Sequence, residues 1–170
     1  MRVLAVNRSG QRIKDKGYAI PGTGDPEAAI PEKIYPVGDL VDMLPLCDYV
    51  VLLTPLTPHN HHLFDARAFG SMKPTAFFFN LGRGPVVDEA ALIEALQQGK
   101  IAGAGLDVFE QEPLPQNSPL WQLENVIIFP HVGGFTPLYD ERASDLFAEN
   151  LRRYVAGQPL LNLVERERGY

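Results

Sequence analysis

Three short blocks hold side chains that could do chemistry. In Asn80-Leu81-Gly82-Arg83-Gly84-Pro85-Val86-Val87-Asp88, an arginine stands between two glycines directly after a phenylalanine-rich run. Glycine lets a backbone approach a ligand closely, and the planar guanidinium fork matches a carboxylate. In Gly105-Leu106-Asp107-Val108-Phe109-Glu110-Gln111-Glu112-Pro113, an apolar run ends near Asp107 and a cluster of carboxylates follows. In Ile128-Phe129-Pro130-His131-Val132-Gly133-Gly134, a histidine beside small residues follows another apolar run. Imidazole holds and releases a proton near neutral pH, so the chemistry on offer is anion binding with proton transfer. Taken singly, each block has a plainer reading: a surface-turn arginine, solvated loop acids, a structural histidine. Their weight comes from position. Each falls at the C-terminal end of an expected strand, where open α/β sheets bind their ligands.

The elements that must hold these blocks alternate along the chain. Runs rich in Val, Ile and Phe predict strands over residues 2–6, 49–53, 76–79, 102–108 and 126–129, with a weaker one over 33–36. Most lack polar alternation, which suits strands of a parallel sheet buried on both faces. Asp88 is the expected N-cap of a helix through Ala91, Leu92, Ile93 and Leu96, stopped at Gly99. The last helix is expected to start with Thr136 as N-cap and Pro137 at its first position. Its apolar face would be Ala143, Leu146, Phe147, Leu151, Tyr154 and Val155. Asp140 and Glu141 in its first turn and Arg152 and Arg153 in its last match the helix dipole, and Gly157 and Pro159 end it. Trp121 is expected to pack a short helix onto the sheet. Residues 9–32, punctuated by Gly and Pro, read as an irregular connection. Strand–helix alternation of this kind predicts an α/β fold with a doubly wound parallel sheet.

Composition narrows the classes. The chain has 170 residues, enough for one domain with a real core. Its formal charge of −6 comes from acids and bases mixed along the sequence, whereas a nucleic-acid partner calls for a concentrated basic face. The lone cysteine, Cys47, forms no internal disulfide and suits a reducing cytosol. It ends an apolar helical stretch (Leu40, Met43, Leu44) and reads as packing. No apolar run approaches membrane-spanning length, and the opening Met1-Arg2-Val3-Leu4 is too short and strand-like for a signal peptide. The His59, His61 and His62 cluster has no Cys or acidic ligand pattern around it, so no metal site is assigned.

A dinucleotide-binding sheet usually opens with a strand, a Gly-rich turn and a helix whose N-terminus holds a pyrophosphate. That turn is not in this sequence. Gly22-Thr23-Gly24 follows no convincing strand, and Gly103-Ala104-Gly105 leads into a strand, where close packing is the simpler role. The first run ends in Asn7-Arg8-Ser9, as the second strand of such a fold ends where an acid grips the ribose hydroxyls. The expectation is a partial Rossmann-like sheet that lacks its first strand and Gly-rich loop.

Together the three blocks resemble the D-isomer-specific 2-hydroxyacid dehydrogenases, among them phosphoglycerate dehydrogenase and the glyoxylate/hydroxypyruvate reductases. The resemblance runs from Met1 to Pro159-Leu160-Leu161-Asn162 and is weak between residues 11 and 32. It implies an oxidoreductase that moves a hydride between NAD(P)H and a small 2-oxo or 2-hydroxy acid. It implies that Arg83 binds the substrate carboxylate and that Glu112 and His131 form the acid–base pair. Asp107, with Thr54-Pro55, Leu81 and Gly133-Gly134, is implied to line the cofactor. NAD-linked members usually carry Asp where this chain has Asn7. A neutral Asn7, with Arg8 to pair with a 2′-phosphate and Ser9 to donate to it, favours NADP; NAD bound through Asn7, with Arg8 in solvent, is the alternative.

The expected organisation is a partial NAD(P)-binding domain over residues 1–157 and a tail over 158–170 that would return toward a substrate domain. The charged run at residues 165–168 reads as solvated surface. The family resemblance implies a cytoplasmic homodimer at full length. The isolated chain is expected to be inactive and marginally folded. A non-enzymatic dinucleotide sensor of the C-terminal binding protein type and a dimerisation module are the alternatives on the same scaffold.

Overall fold

Branched and aromatic runs make six short parallel strands in the computed structural model, which describes residues 1–14, 17–20 and 22–164. The charged run at 165–168 lies outside the described residues. β1 (Leu4–Asn7) pairs with β2 (Lys33–Pro36). β3 (Tyr49–Leu52), β4 (Phe77–Asn80), β5 (Gly103–Leu106) and β6 (Val126–Ile128) pair in that order as a four-stranded sheet. Among the described residues no ladder joins the two sheets. All six strands expected from the sequence form, and the parallel order gives the Rossmann-like α/β architecture.

Parallel neighbours need crossovers, and the helices supply them. α1 (Leu40–Met43) is flanked by single 3-10 turns, and α2 (Ala66–Gly70) and α3 (Glu89–Gln97) follow β3 and β4. Asp65 and Asp88 cap α2 and α3, accepting from the N–H groups of Ala68 and Ala91. Gly99 then takes a positive φ of 65°, closing α3 as its sequence predicts. The core lies on one face of the larger sheet. Phe64, Phe69 and Phe78 are all but inaccessible there, with ring centroids 4.9–6.0 Å apart. Leu44, Leu92, Ile101 and Leu120 complete it.

Three expectations need correction. β3 and β4 are not buried on both faces: Val50, Leu52 and Phe78 are buried, whereas Tyr49 is 65% and Val51 52% exposed. Without polar alternation the run could not reveal that one face is left open. The last helix, α4 (Tyr139–Val155), begins two residues later than predicted and has no side-chain cap. Thr136 is instead spent on a turn, its carbonyl accepting from Tyr139. Its apolar stripe is not buried either, Phe147 being 71% exposed. Finally, Leu120 rather than Trp121 anchors the short 3-10 helix Pro119–Gln122, while Trp121 remains half-exposed with its indole N–H donating to Pro115 O at 2.9 Å.

Two units are distinguished. The larger, Leu4–Gln11 with Lys33–Gly133, holds both sheets and α1 to α3. The smaller comprises Met1–Val3, Arg12–Glu32 and Gly134–Tyr170. In it, Asn150 of α4 exchanges two hydrogen bonds with the backbone of Leu161, folding the following segment back along the helix.

Candidate functional site

Strand register sets the site. Leu52, Asn80, Leu106 and Ile128 lie side by side across β3–β6. The segments carrying Thr54, Arg83, Glu112 and His131 therefore all leave the same C-terminal edge.

Asn80 shapes the first of these turns. Buried at the end of β4, it accepts from Gly82 N–H at 3.1 Å and donates to Arg83 O at 3.3 Å. The exposed Arg83 side chain donates back to Gly82 O at 2.7 Å. Gly84 faces the next segment so closely that a Cβ would lie 1.7 Å from Phe109 O. Only a residue without a side chain can hold the 83–86 turn against the 107–112 loop.

The acid and the imidazole meet. Glu112 accepts from His131 Nδ1 at 2.7 Å and from Phe109 N–H at 3.1 Å, so both carboxylate oxygens are fixed. His131 Nε2 has no protein partner among the described residues and is available to a ligand oxygen. Burial alone would raise the Glu112 pKa. The bonds from His131 and Phe109, and the charges of His131 and Arg83, outweigh it and hold the carboxyl below its usual range. The Arg83 charge is thus felt at Glu112, so the three residues picked from sequence share one electrostatic neighbourhood. His131 occupies the left-handed region at φ 56°, a conformation uncommon outside glycine and associated with functional sites.

Asp107 explains how His131 is held. It is buried, and its two oxygens accept from Val132 N–H at 2.8 Å and Gly133 N–H at 2.7 Å. A Cβ at position 133 would sit 2.7 Å from that carboxylate. The visible work of Asp107 is therefore to pin the loop that follows His131, a role the sequence reading did not assign to it. Gly134 begins the last segment of the smaller unit and has open space where a Cβ would lie.

The remaining cofactor candidates divide. Thr54 Oγ1 is buried and has no hydrogen-bond partner among the described residues, a state that costs about 1–3 kcal/mol until a ligand satisfies it. Pro55 and Leu81 are exposed beside it in sequence on the same edge. Asn7, after β1, turns its side chain inward on its own loop, accepting from Ser9 and Gly10 N–H and donating to Gln11 O. Arg8 is exposed, with no hydrogen-bond or ion-pair partner among the described residues, and Ser9 is exposed beside it. An orphaned hydroxyl at one strand end and a free guanidinium at another fit a phosphorylated dinucleotide.

A second histidine–carboxylate pair was missed from sequence. His62 Nε2 lies 2.5 Å from Glu110 Oε1, while Glu110 N–H donates to Glu89 Oε2 at 3.2 Å. Burial chiefly, with the Glu110 charge adding to it, raises the Glu89 carboxyl above its usual range against the bond from Glu110 N–H. These contacts tie the loop after β3, the start of α3 and the loop after β5 together. Residues 48 positions apart give no local signal of such a pair.

The sequence model of the D-isomer specific 2-hydroxyacid dehydrogenase NAD binding domain matches residues 1–133. The chain belongs to that family. Among relatives of this dehydrogenase-family chain, glyoxylate/hydroxypyruvate reductase B of Citrobacter koseri is 59% identical over 98 residues, which are 58% of this chain and 30% of the relative. A D-isomer specific 2-hydroxyacid dehydrogenase from Xanthobacter autotrophicus Py2, solved with NADPH and MES, is 44% identical, with a TM-score of 0.76 over 81% of this chain and 44% of that one. An NADPH-dependent glyoxylate/hydroxypyruvate reductase from Sinorhizobium meliloti, solved with NADP and sulfate, is 31% identical, with a TM-score of 0.79 over 99% of this chain and 49% of that one. The chain thus spans less than half the length of each of these relatives.

Proposed function

We propose that this chain carries the cofactor side and the acid–base pair of an NAD(P)-dependent reductase of small 2-oxo acids, of the glyoxylate/hydroxypyruvate type. The observation that carries the reading is the Arg83–Glu112–His131 neighbourhood at one strand edge. A nicotinamide cofactor, when bound, supplies the hydride. Thr54, Pro55, Leu81, Asp107 and Gly133 would hold it, with Asn7, Arg8 and Ser9 toward the adenosine end.

The chain's own residues account for the rest. Arg83 grips the substrate carboxylate through paired hydrogen bonds and orients the carbonyl. His131 donates a proton from Nε2 to the carbonyl oxygen as it becomes an alkoxide. Glu112 stabilises the imidazolium and fixes the ring through Nδ1. Free Arg8 supports NADP over NAD, because a guanidinium can pair with a 2′-phosphate. Tighter binding of NADH than NADPH would overturn that preference.

The test is oxidation of NADPH dependent on glyoxylate or hydroxypyruvate, in a polypeptide containing this sequence. His131→Gln is expected to slow it by about 10²–10⁴-fold, the usual contribution of a positioned general acid. Unchanged turnover in that variant would sink the assignment. The isolated chain is expected to turn over poorly, since its ladder is broken between two sheets; steady turnover by it would overturn that expectation.

A further inference from the structure

Beside the acid–base pair lies a cavity of about 710 Å³ that the reading above leaves unused. Its wall is Leu114, Trp121, Ile128, Phe129 and Phe109, and it reaches His131 and Glu112 at one end. That volume falls in the ~300–1,000 Å³ range of small-molecule sites. Glyoxylate, which carries only hydrogen on its carbonyl carbon, leaves such a space empty.

The lining has two informative features. It includes neither Arg83 nor the cofactor-side residues Thr54, Asp107 and Gly133. A 2-oxo acid directs three groups from its trigonal carbonyl carbon: the oxygen, the carboxylate and the substituent. With the oxygen at His131 and the carboxylate at Arg83, the substituent is the group left to enter a space that touches the first and not the second. The other feature is charge. No lysine or arginine lines the cavity, and Glu112 is its one carboxylate. The indole N–H of Trp121 is already given to Pro115 O, so that side chain offers only its ring. Such a wall rewards apolar area and repels a phosphate.

We propose that this cavity is a substituent subsite for 2-oxo acids bearing a branched or aromatic apolar group, and that it disfavours phosphorylated ones. The inference rests on the reading of Arg83, Glu112 and His131 given above.

Trp121 is the single tryptophan of the chain, so its fluorescence reports this cavity alone, while the imidazole NMR signals of His131 report the acid–base pair. The experiment titrates the full chain, with NADP present, with 4-methyl-2-oxopentanoate, glyoxylate and 3-phosphohydroxypyruvate. The branched acid is expected to saturate a change in Trp121 emission, with half-saturation about tenfold or more below that at which glyoxylate shifts His131, because each buried methylene adds several-fold. The phosphorylated acid is expected to leave Trp121 unmoved. Leu114→Glu should remove the branched acid's advantage while glyoxylate still shifts His131. That retained shift also shows that the variant is folded. Equal half-saturation for the branched acid and glyoxylate, a silent Trp121, or tighter binding of the phosphorylated acid would overturn the subsite. Glyoxylate shifting His131 in any of those cases leaves the parent reading standing. If no 2-oxo acid shifts His131, both fall.

Discussion

Glu112 carries the most specific prediction at the scale of single residues. Its carboxyl is held below the ordinary range because the bonds and charges of His131, Phe109 and Arg83 outweigh its burial. A carboxylate whose folded pKa is depressed adds stability that is fully present above the unfolded value, about 4.3, and is lost as pH falls through the lower folded value. The pair should therefore survive mild acid, and its contribution should fade only below the usual carboxylate range. A carboxyl carbon NMR titration checks this directly. His131→Asn removes one bond and one charge while keeping a side chain that tolerates the left-handed backbone at position 131. The Glu112 midpoint should then rise, with little change in thermal stability. A midpoint that stays put would mean that His131 does not hold Glu112. The types and order of Arg83, Glu112 and His131 were legible in sequence because each sits at the end of an apolar strand. The Asp107 brace was not legible as such, since a buried acid serving backbone N–H groups 25 and 26 residues away looks in sequence like any loop acid.

Elements position these residues through close packing of loops, and Gly84 is where that packing can be tested. A Cβ there meets Phe109 O at 1.7 Å, so Gly84→Ala must push the loop that ends in Glu112. Overpacking of this kind costs about 1–3 kcal/mol, and the displacement should uncouple Glu112 from His131. Gly70 closes α2 with open space around it. Gly70→Ala is therefore the matched control, expected to be neutral or to stabilise by about 0.4–1 kcal/mol. Urea midpoints of the two variants, read with the His131 imidazole signals, separate the effects. Equal midpoints and an undisturbed His131 in Gly84→Ala would refute the close approach. At this scale the strands were readable because Val, Ile and Phe runs are unmistakable, and α3 because Asp88 and Gly99 bracket it. α2 was missed because five residues are too few to show helical periodicity. α4 was read with the wrong start because Thr136 and Pro137 serve equally well in the turn before it.

On the whole molecule, the apolar surface is the feature that governs behaviour in solution. One face of the larger sheet exposes Tyr49, Val51 and Ile127, and α4 exposes Phe147, Tyr154 and Val155, each by more than half. Monomeric proteins rarely leave contiguous apolar patches of this kind open. Each such side chain, if covered, would add about 1.5–3 kcal/mol, against a typical total of about 5–15 kcal/mol. Two consequences follow for the purified chain. It should bind an environment-sensitive apolar dye in its folded state, and its thermal midpoint should rise with protein concentration, because association that covers these faces stabilises the folded form by mass action. Ile127→Lys and Phe147→Lys, placed at exposed positions where they disturb no core contact, should reduce both effects while leaving the far-ultraviolet spectrum unchanged. A chain that binds no dye and melts at one temperature across a hundredfold range of concentration would show that these faces do not drive association, and that the core around Phe64, Phe69 and Phe78 holds the fold unaided.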